Sequence, residues 1–131
     1  MSWPALAAEE APITDSAERL RRQIHPNFFS DDGMITSEVF KPRNKMVSTT
    51  RDLIISPEDA YERHLKPTIG SCFVTIAEVE DCELRAIDDS SVDGVPDGHA
   101  YIDLRICGRS EMDRKAKKLK RLAMENGIWR P

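Results

Sequence analysis

Two stretches far apart in the chain carry side chains that could bind an anion and move a proton. The string Arg21-Arg22-Gln23-Ile24-His25-Pro26 places cations beside an imidazole, and His99 supplies a second imidazole. Guanidinium groups hold phosphates through charged N–H donors, hydroxyl groups add further donors, and histidine exchanges a proton near neutral pH. The candidates for a phosphate or nucleotide pocket are Arg22, His25, Ser37, Arg51 and His99.

This pocket requires the fold to bring the candidate residues together, which their spacing alone does not establish. Taken singly, His25 and His99 are also explained as residues at a helix end and a strand edge whose rings bond the backbone. His64 falls at the predicted end of a helix, where a cation complements the helix dipole, so we interpret it as structural. The sequence therefore leaves open whether the chain is an enzyme.

The last predicted helix is the largest electrostatic feature of the sequence. Its cations are Arg114, Lys115, Lys117, Lys118, Lys120 and Arg121. Clustered cations favour contact with RNA, DNA or an acidic protein, because they neutralise phosphates or carboxylates. A solvated outer face explains the same pattern, and only Trp129 lies near enough to stack on a base.

The sequence lacks the motifs that are typical of several classes of enzyme and binding protein. The chain has no P-loop, no G-x-G-x-x-G, no H-E-x-x-H and no G-x-S-x-G motif. Its three cysteines, Cys72, Cys82 and Cys107, are never spaced as C-x-x-C, and we interpret them as core residues in a reducing compartment. We therefore expect no cofactor and no metal site.

Length and composition indicate one globular unit. The 131 residues are 40% hydrophobic and 32% charged, which is typical of a folded domain rather than a disordered chain. We expect a loose leader over 1–13 and a single domain over 14–131. The N-terminus has no basic signal-peptide region and the longest apolar run is short, so we expect a cytoplasmic protein without a membrane segment.

The elements that must position the candidate residues follow from periodicity and caps. A short helix capped by Thr14, Asp15 or Ser16 is predicted to end at Pro26, and Asp32-Gly33 indicates a turn within a hairpin. Ser56 begins a second helix that reaches about His64. The near-continuous apolar run after Gly70 predicts a buried strand over 71–79.

The C-terminal third predicts a strand followed by a helix. Residues 101–107 alternate between apolar and polar, which is typical of a half-buried strand. Ser110 is expected to cap the final helix, and Gly127 to end it. The predicted fold class is α+β: one small, mostly antiparallel or mixed sheet with two to three flanking helices and the basic C-terminal helix packed on it.

Five short segments resemble a family of small uncharacterised bacterial proteins. The matching pattern is His-Pro, then Ser-x-x-Phe, then Pro-x-x-His-Ala near the end of the chain. In this sequence the segments are Gln23-Ile24-His25-Pro26, Asp32-Gly33, Thr36-Ser37-Glu38-Val39-Phe40, Val47-Ser48 and Pro96-Asp97-Gly98-His99-Ala100. The resemblance implies no reaction, but it implies that His25, Ser37, Phe40 and His99 belong to one shared pattern.

Charge asymmetry favours a binding role as the first hypothesis. Acidic residues crowd into 78–97 and basic residues dominate from Arg105 onward, a polarity that can steer a partner. We predict a non-catalytic binding or adaptor protein in a larger complex, with another protein or a second copy as partner. The alternatives are an enzyme or sensor for a phosphate-bearing ligand and a nucleic-acid binder that uses the last helix.

Overall fold

A computed structural model describes residues 2–131 as an antiparallel sheet with helices and 3-10 turns packed on it. The strands are β1 (Ala11–Pro12), β2 (Arg19–Gln23), β3 (Met46–Arg51), β4 (Ser71–Thr75), β5 (Arg85–Asp88), β6 (His99–Asp103) and β7 (Ile128–Trp129). The helices are α1 (Pro57–Arg63), α2 (Ile76–Asp81) and α3 (Arg109–Asn126), and 3-10 turns span Pro26–Phe28 and Ser37–Phe40.

All neighbouring strands of the sheet run antiparallel, in the order β1-β5-β6-β3-β2-β4-β7. Helix α3 packs against β4 and against the Ser37–Phe40 turn. These observations confirm the predicted α+β class and the placement of the basic C-terminal helix on the sheet.

One face of the sheet forms the core under α3, and the other carries the polar residues. Along β6, Ala100 and Ile102 are buried in the main hydrophobic cluster with Leu119 of α3. Successive side chains of a strand point to opposite faces, so His99 and Tyr101 lie on the other face. Buried apolar side chains of this cluster stabilise the fold by roughly 1.5–3 kcal/mol each.

The ladder between β2 and β3 is short. Residues pair only as Leu20 with Arg51 and Arg21 with Thr50, although each strand continues beyond these positions. On its other side β2 pairs with β4 over five residues, up to Gln23. The central strands therefore separate past Arg21 and leave backbone and side-chain groups facing a gap.

The predicted helix over 14–25 is wrong, because this segment contains β2. Ala17, Leu20 and Ile24 fit a helical period, but Leu20, Arg22 and Ile24 fit the two-residue period of a strand equally well. Pairing with β4, about 50 residues away in sequence, decides between the two. In this segment, pairing with β4 overrides the local helical pattern.

Three other predicted boundaries are also wrong. The strand predicted over 71–79 ends at Thr75, where Thr75 and Glu78 form a capping box that starts α2. The strand predicted over 101–107 is β6, which begins at His99 and ends at Asp103. Helix α3 begins after Gly108 without a side-chain cap, so Ser110 lies inside it.

The segment described above as a loose leader packs along the sheet. β1 extends the sheet by pairing with β5. The ring of Trp3 lies 4.7 Å from the guanidinium carbon of Arg85, which also donates to the Pro4 carbonyl. The hydroxyl of Tyr101 donates to Glu10 at 2.6 Å. This segment therefore covers part of the face opposite α3.

We expect Gly70→Ala to lower the free energy of unfolding by about 2–3 kcal/mol. Gly70 has φ +154°, and a Cβ there would collide with the backbone carbonyl oxygen of Trp129. Gly94→Ala is the matched control, because Gly94 also has a positive φ but no neighbour within 4 Å. It should cost only about 1 kcal/mol in chemical denaturation. Equal losses in both variants would contradict the collision.

Candidate functional site

A cavity of about 540 Å³ opens where β2 and β3 separate. It is bounded by β2, β3, α1 and the loop before β6, and its basic and titratable lining residues are Arg22, His25, Arg63, His64, Lys66 and His99. The chain has three histidines, and all of them line this cavity. We call it the histidine cavity.

Local sequence explains how the surrounding elements are held. Ser56 accepts a hydrogen bond from the backbone N–H of Asp59 at 3.1 Å, and Pro57 takes the first turn of α1. At the other end of α1, Arg63 donates to the Asp97 carbonyl at 2.8 Å, which fixes the helix to the loop before β6. Helix α1 begins and ends as the sequence predicts.

Arg22 is the least exposed of the arginine and lysine residues that line the histidine cavity. Its Nε donates to the Val39 carbonyl at 3.0 Å and its Nη1 to the Ser48 carbonyl at 3.1 Å, across the gap between β2 and β3. Burial lowers the pKa of its guanidinium. Among residues 2–131, no carboxylate forms a salt bridge with Arg22, and its Nη2 donates to no protein group, so its charge lacks a counterion in the protein.

His25 and His99 are held in complementary ways. The Nδ1 atom of His25 accepts from the backbone N–H of Asn27 at 3.0 Å, which places the proton of the neutral ring on Nε2. The Nδ1 atom of His99 lies 2.6 Å from the Asp89 carboxylate, so it donates there and leaves Nε2 as the basic nitrogen. In their neutral forms, the ring of His25 can therefore donate a hydrogen bond through Nε2 and the ring of His99 can accept one.

His64 lies at the exposed rim of the histidine cavity, directly after α1. Its pKa is lowered by partial burial and by the positive charges of Arg22 and Lys66. A bound anion would reverse these effects, because negative charge favours the protonated imidazole. The sequence analysis assigned His64 to a structural role and missed its place in this cavity.

Two buried polar atoms on the lining have no protein partner. The Nε2 atom of Gln23 and the Oγ1 atom of Thr50 are shielded from solvent and make no hydrogen bond within residues 2–131. Such atoms cost about 1–3 kcal/mol each unless a ligand or water satisfies them. They add a donor amide and a hydroxyl to the cations of the histidine cavity.

The net electrostatic character of the histidine cavity is positive. Within the part of the chain that the structure describes, no Asp or Glu lines it, although Asp89 bonds His99 from behind. Cations, a free amide and hydroxyls together form a site for an anion with several oxygen acceptors. The apolar side is formed by Phe28, Leu65 and nearby prolines.

Arg51, one of the residues predicted for the pocket, lies elsewhere. Its guanidinium bonds both oxygens of the Glu18 carboxylate and an oxygen of Asp88 at 2.7 Å. The hydrogen bond that Arg51 donates to Glu18 is the largest cause of the raised pKa of Arg51. The sequence could not reveal these partners, because register alone brings Glu18 and Asp88 beside Arg51.

Ser37, the other predicted pocket residue that lies apart, lines a second depression of about 890 Å³ on the α3 side of the molecule. Its lining comprises Ser30, Asp32, Met34, Ile35, Thr36, Ser37, Arg114, Lys117, Lys118, Lys120 and Arg121. We call it the basic groove. Lys115, although predicted to share this charged surface, is buried, with its Nζ 3.3 Å from Glu111 and 3.5 Å from the Glu83 carbonyl.

The sequence analysis missed residues whose types looked ordinary in context. Arg63 and Lys66 line the histidine cavity, yet each is a common residue near the end of a helix. One sequence feature could have indicated the site: the chain has only three histidines, and each lies beside a proline, a helix end or a turn. Arg22, His25 and His99, in contrast, were selected by type and line one cavity.

No helix among residues 2–131 is long and apolar enough to cross a bilayer. Searches of protein-family models, of curated proteins and of solved structures find no match to this chain.

Proposed function

We propose that the histidine cavity binds a phosphate-bearing ligand of nucleotide size. The observation that carries this proposal is Arg22, a half-buried guanidinium with no carboxylate partner among residues 2–131. An isolated buried charge is costly, so a protein usually pairs it. An anion in the cavity would supply the missing counterion and an acceptor for Nη2.

Phosphate fits this cavity better than a carboxylate does. A phosphate monoester offers three oxygens and about two negative charges, whereas a carboxylate offers two oxygens and one. The available donors come from Arg22, Gln23, Thr50 and the histidine rings. This number and spread of donors favour an anion that accepts from several directions.

The remaining part of the ligand would be organic and partly apolar. The volume of about 540 Å³ lies in the ordinary range for small-molecule sites and exceeds what inorganic phosphate needs. The ring of Phe28 packs edge-on against His25, with 5.9 Å between ring centroids. Together with Leu65, it provides a surface for a base or a similar flat group.

The adaptor hypothesis stays a prediction. The opposite proton positions of His25 and His99 favour a site that handles a titrating ligand over a purely structural protein. Within this proposal the pair acts first in recognition: the Nε2 proton of His25 donates to the ligand, and Nε2 of His99 accepts from a ligand hydroxyl or takes a proton.

The test is a titration with inorganic phosphate and a ribonucleoside monophosphate, followed through the imidazole C–H signals in NMR. We expect saturable shifts of all three histidine signals, with tighter binding by the nucleotide than by phosphate. The matched control is the uncharged nucleoside, which should bind much more weakly. Tight nucleoside binding, or no shift with either phosphate, would contradict the proposal.

We expect phosphate affinity to rise as the pH falls through the pKa of His64. In the free protein that pKa lies below its ordinary value, so the ring is neutral at neutral pH. A bound phosphate raises it, and the complex therefore takes up a proton on forming. Calorimetric titration in two buffers of different ionisation enthalpy measures this uptake, which His64→Gln should reduce. Proton release on binding would contradict the assignment.

A further inference from the structure

We propose that the basic groove binds the sugar–phosphate backbone of a nucleic acid, independently of base sequence. The groove lies on the α3 side of the sheet and shares none of its lining residues with the histidine cavity. It therefore adds a second binding site to the proposed function and does not depend on it.

The cations of α3 that face the groove are not neutralised by the protein. Helix α3 makes two ion pairs among residues 2–131, Lys41–Asp113 and Lys115–Glu111. Neither involves a cation that lines the groove. Lys118 donates to the Asp81 carbonyl at 3.1 Å, which positions the ammonium group without cancelling its charge. The groove thus presents five cations against one acid, Asp32.

A second, independent observation points to an oxygen-rich ligand. Thr36 lines the groove, and its Oγ1 atom is shielded from solvent and has no hydrogen-bond partner within residues 2–131. Thr36 directly precedes the Ser37–Phe40 turn, yet its side chain does not cap the free N–H groups of that turn. A phosphate oxygen in the groove would accept from the Ser37 hydroxyl, and also from the Thr36 hydroxyl once that side chain rotates toward it.

The spacing of the cations suits a run of phosphates. Arg114, Lys117 or Lys118, and Arg121 recur every three to four residues, so they lie along one face of α3. Seven residues of helix span about 10 Å, and the long side chains of Lys and Arg extend this reach to about three successive phosphates of one strand. The helix therefore lies alongside the backbone, with one cation for each phosphate.

The lining favours the backbone over the bases as the recognised part. No aromatic residue lines the groove among residues 2–131, so stacking on bases contributes nothing there. Its polar groups are cations and the hydroxyls of Ser30, Thr36 and Ser37, which contact phosphates and sugars. An acidic peptide is less suited, because its carboxylates are spaced by flexible side chains instead of by a regular backbone.

The test measures binding of fluorescein-labelled duplexes of two unrelated sequences by anisotropy between about 50 and 200 mM salt. With about three phosphate contacts, we expect the logarithm of affinity to fall against the logarithm of salt with a slope of about −3, equally for both sequences. Polyglutamate of similar charge is the competitor arm. A flat salt response, no binding at low salt, or tighter binding of polyglutamate would overturn the proposal.

Single substitutions distinguish binding in the basic groove from nonspecific electrostatic attraction between the protein and the nucleic acid. Lys117→Gln and Arg121→Gln should each reduce the slope by about 1, since each removes one phosphate contact. Thr36→Val should weaken binding about tenfold with an unchanged slope, because it removes a hydroxyl and no charge. Arg109→Gln, an exposed cation of α3 outside the groove, is the control and should leave the slope unchanged. Equal effects of Arg109→Gln and Lys117→Gln would overturn the assignment.

Discussion

We expect Arg22→Gln to weaken binding of the nucleotide to the histidine cavity by about 100-fold. The guanidinium is half-buried and has an unused Nη2, so a phosphate would pair with it at a partly desolvated position. Charge-assisted bonds at such positions are about twice as strong as neutral ones. Glutamine keeps an amide donor for one carbonyl but removes the charge, and isothermal titration measures the difference.

Without ligand, the same substitution should change the free energy of unfolding by no more than about 1 kcal/mol. Two hydrogen bonds to the carbonyls of Val39 and Ser48 are weakened, but the cost of burying an unpaired charge disappears as well. The control is Arg19→Gln, because Arg19 lies on the same strand, is exposed and stacks on Phe73 at 4.5 Å. Equal losses of affinity in the two variants would assign the effect to overall charge.

Asp103→Asn is expected to lower the free energy of unfolding at neutral pH by about 3 kcal/mol. The carboxylate of Asp103 is fully buried and accepts from Arg85 at 2.9 Å and from Arg105 at 2.9 and 3.0 Å. It also accepts from the backbone N–H of Arg105 at 3.0 Å. An asparagine leaves two arginines without their counterion. Urea denaturation gives the difference in free energy.

The effect of Asp103→Asn should shrink in acid. Burial alone would raise the pKa of Asp103, but hydrogen bonds from Arg105 and Arg85 outweigh burial and hold the pKa below its ordinary value of 3.8. A carboxylate with a lowered pKa contributes its full stability above the pKa of the unfolded chain and loses it as the pH falls through the folded value. The variant and the parent should therefore converge below about pH 4.

The control for Asp103→Asn is Asp93→Asn, since Asp93 is exposed in the loop before β6 and makes no ion pair within residues 2–131. It should alter the free energy of unfolding by less than about 0.5 kcal/mol. A similar loss in both variants, or a difference for Asp103→Asn that persists unchanged at low pH, would show that the ion pairs contribute little.

Parts of the fold with strong local signals could be predicted from sequence. Ser56 and Pro57 specify the start of α1, and Gly127, with φ +97°, ends α3 as predicted. The wrong predictions arise where the local sequence pattern fits more than one secondary structure. The 14–25 segment fits two periods, and only the position of β4 in the sheet selects the strand. At Thr75 a capping box is present in the sequence, but the apolar run that crosses it conceals the start of α2.

The candidate site could be predicted in its residue types but not in its geometry. Arg22, His25 and His99 line one cavity because β2 and β6 both flank β3, an arrangement that nothing in their spacing encodes. Ser37 and Arg51 have suitable side chains, but register directs one to the basic groove and the other to an ion-pair cluster. His64 joins the cavity because α1 ends at its rim.

The short ladder between β2 and β3 joins two parts of the sheet through few backbone hydrogen bonds. The ladder that joins β1-β5-β6-β3 to β2-β4-β7 has two residue pairs, and the Asp52 N–H adds one more backbone hydrogen bond to the Arg19 carbonyl at 3.1 Å. Where β2 and β3 separate, the guanidinium of Arg22 donates to the Ser48 carbonyl and partly replaces the backbone hydrogen bonds that are absent there. A ligand bound in the histidine cavity would contact both β2 and β3 and would add contacts between the two parts of the sheet at the point where their backbone hydrogen bonds end.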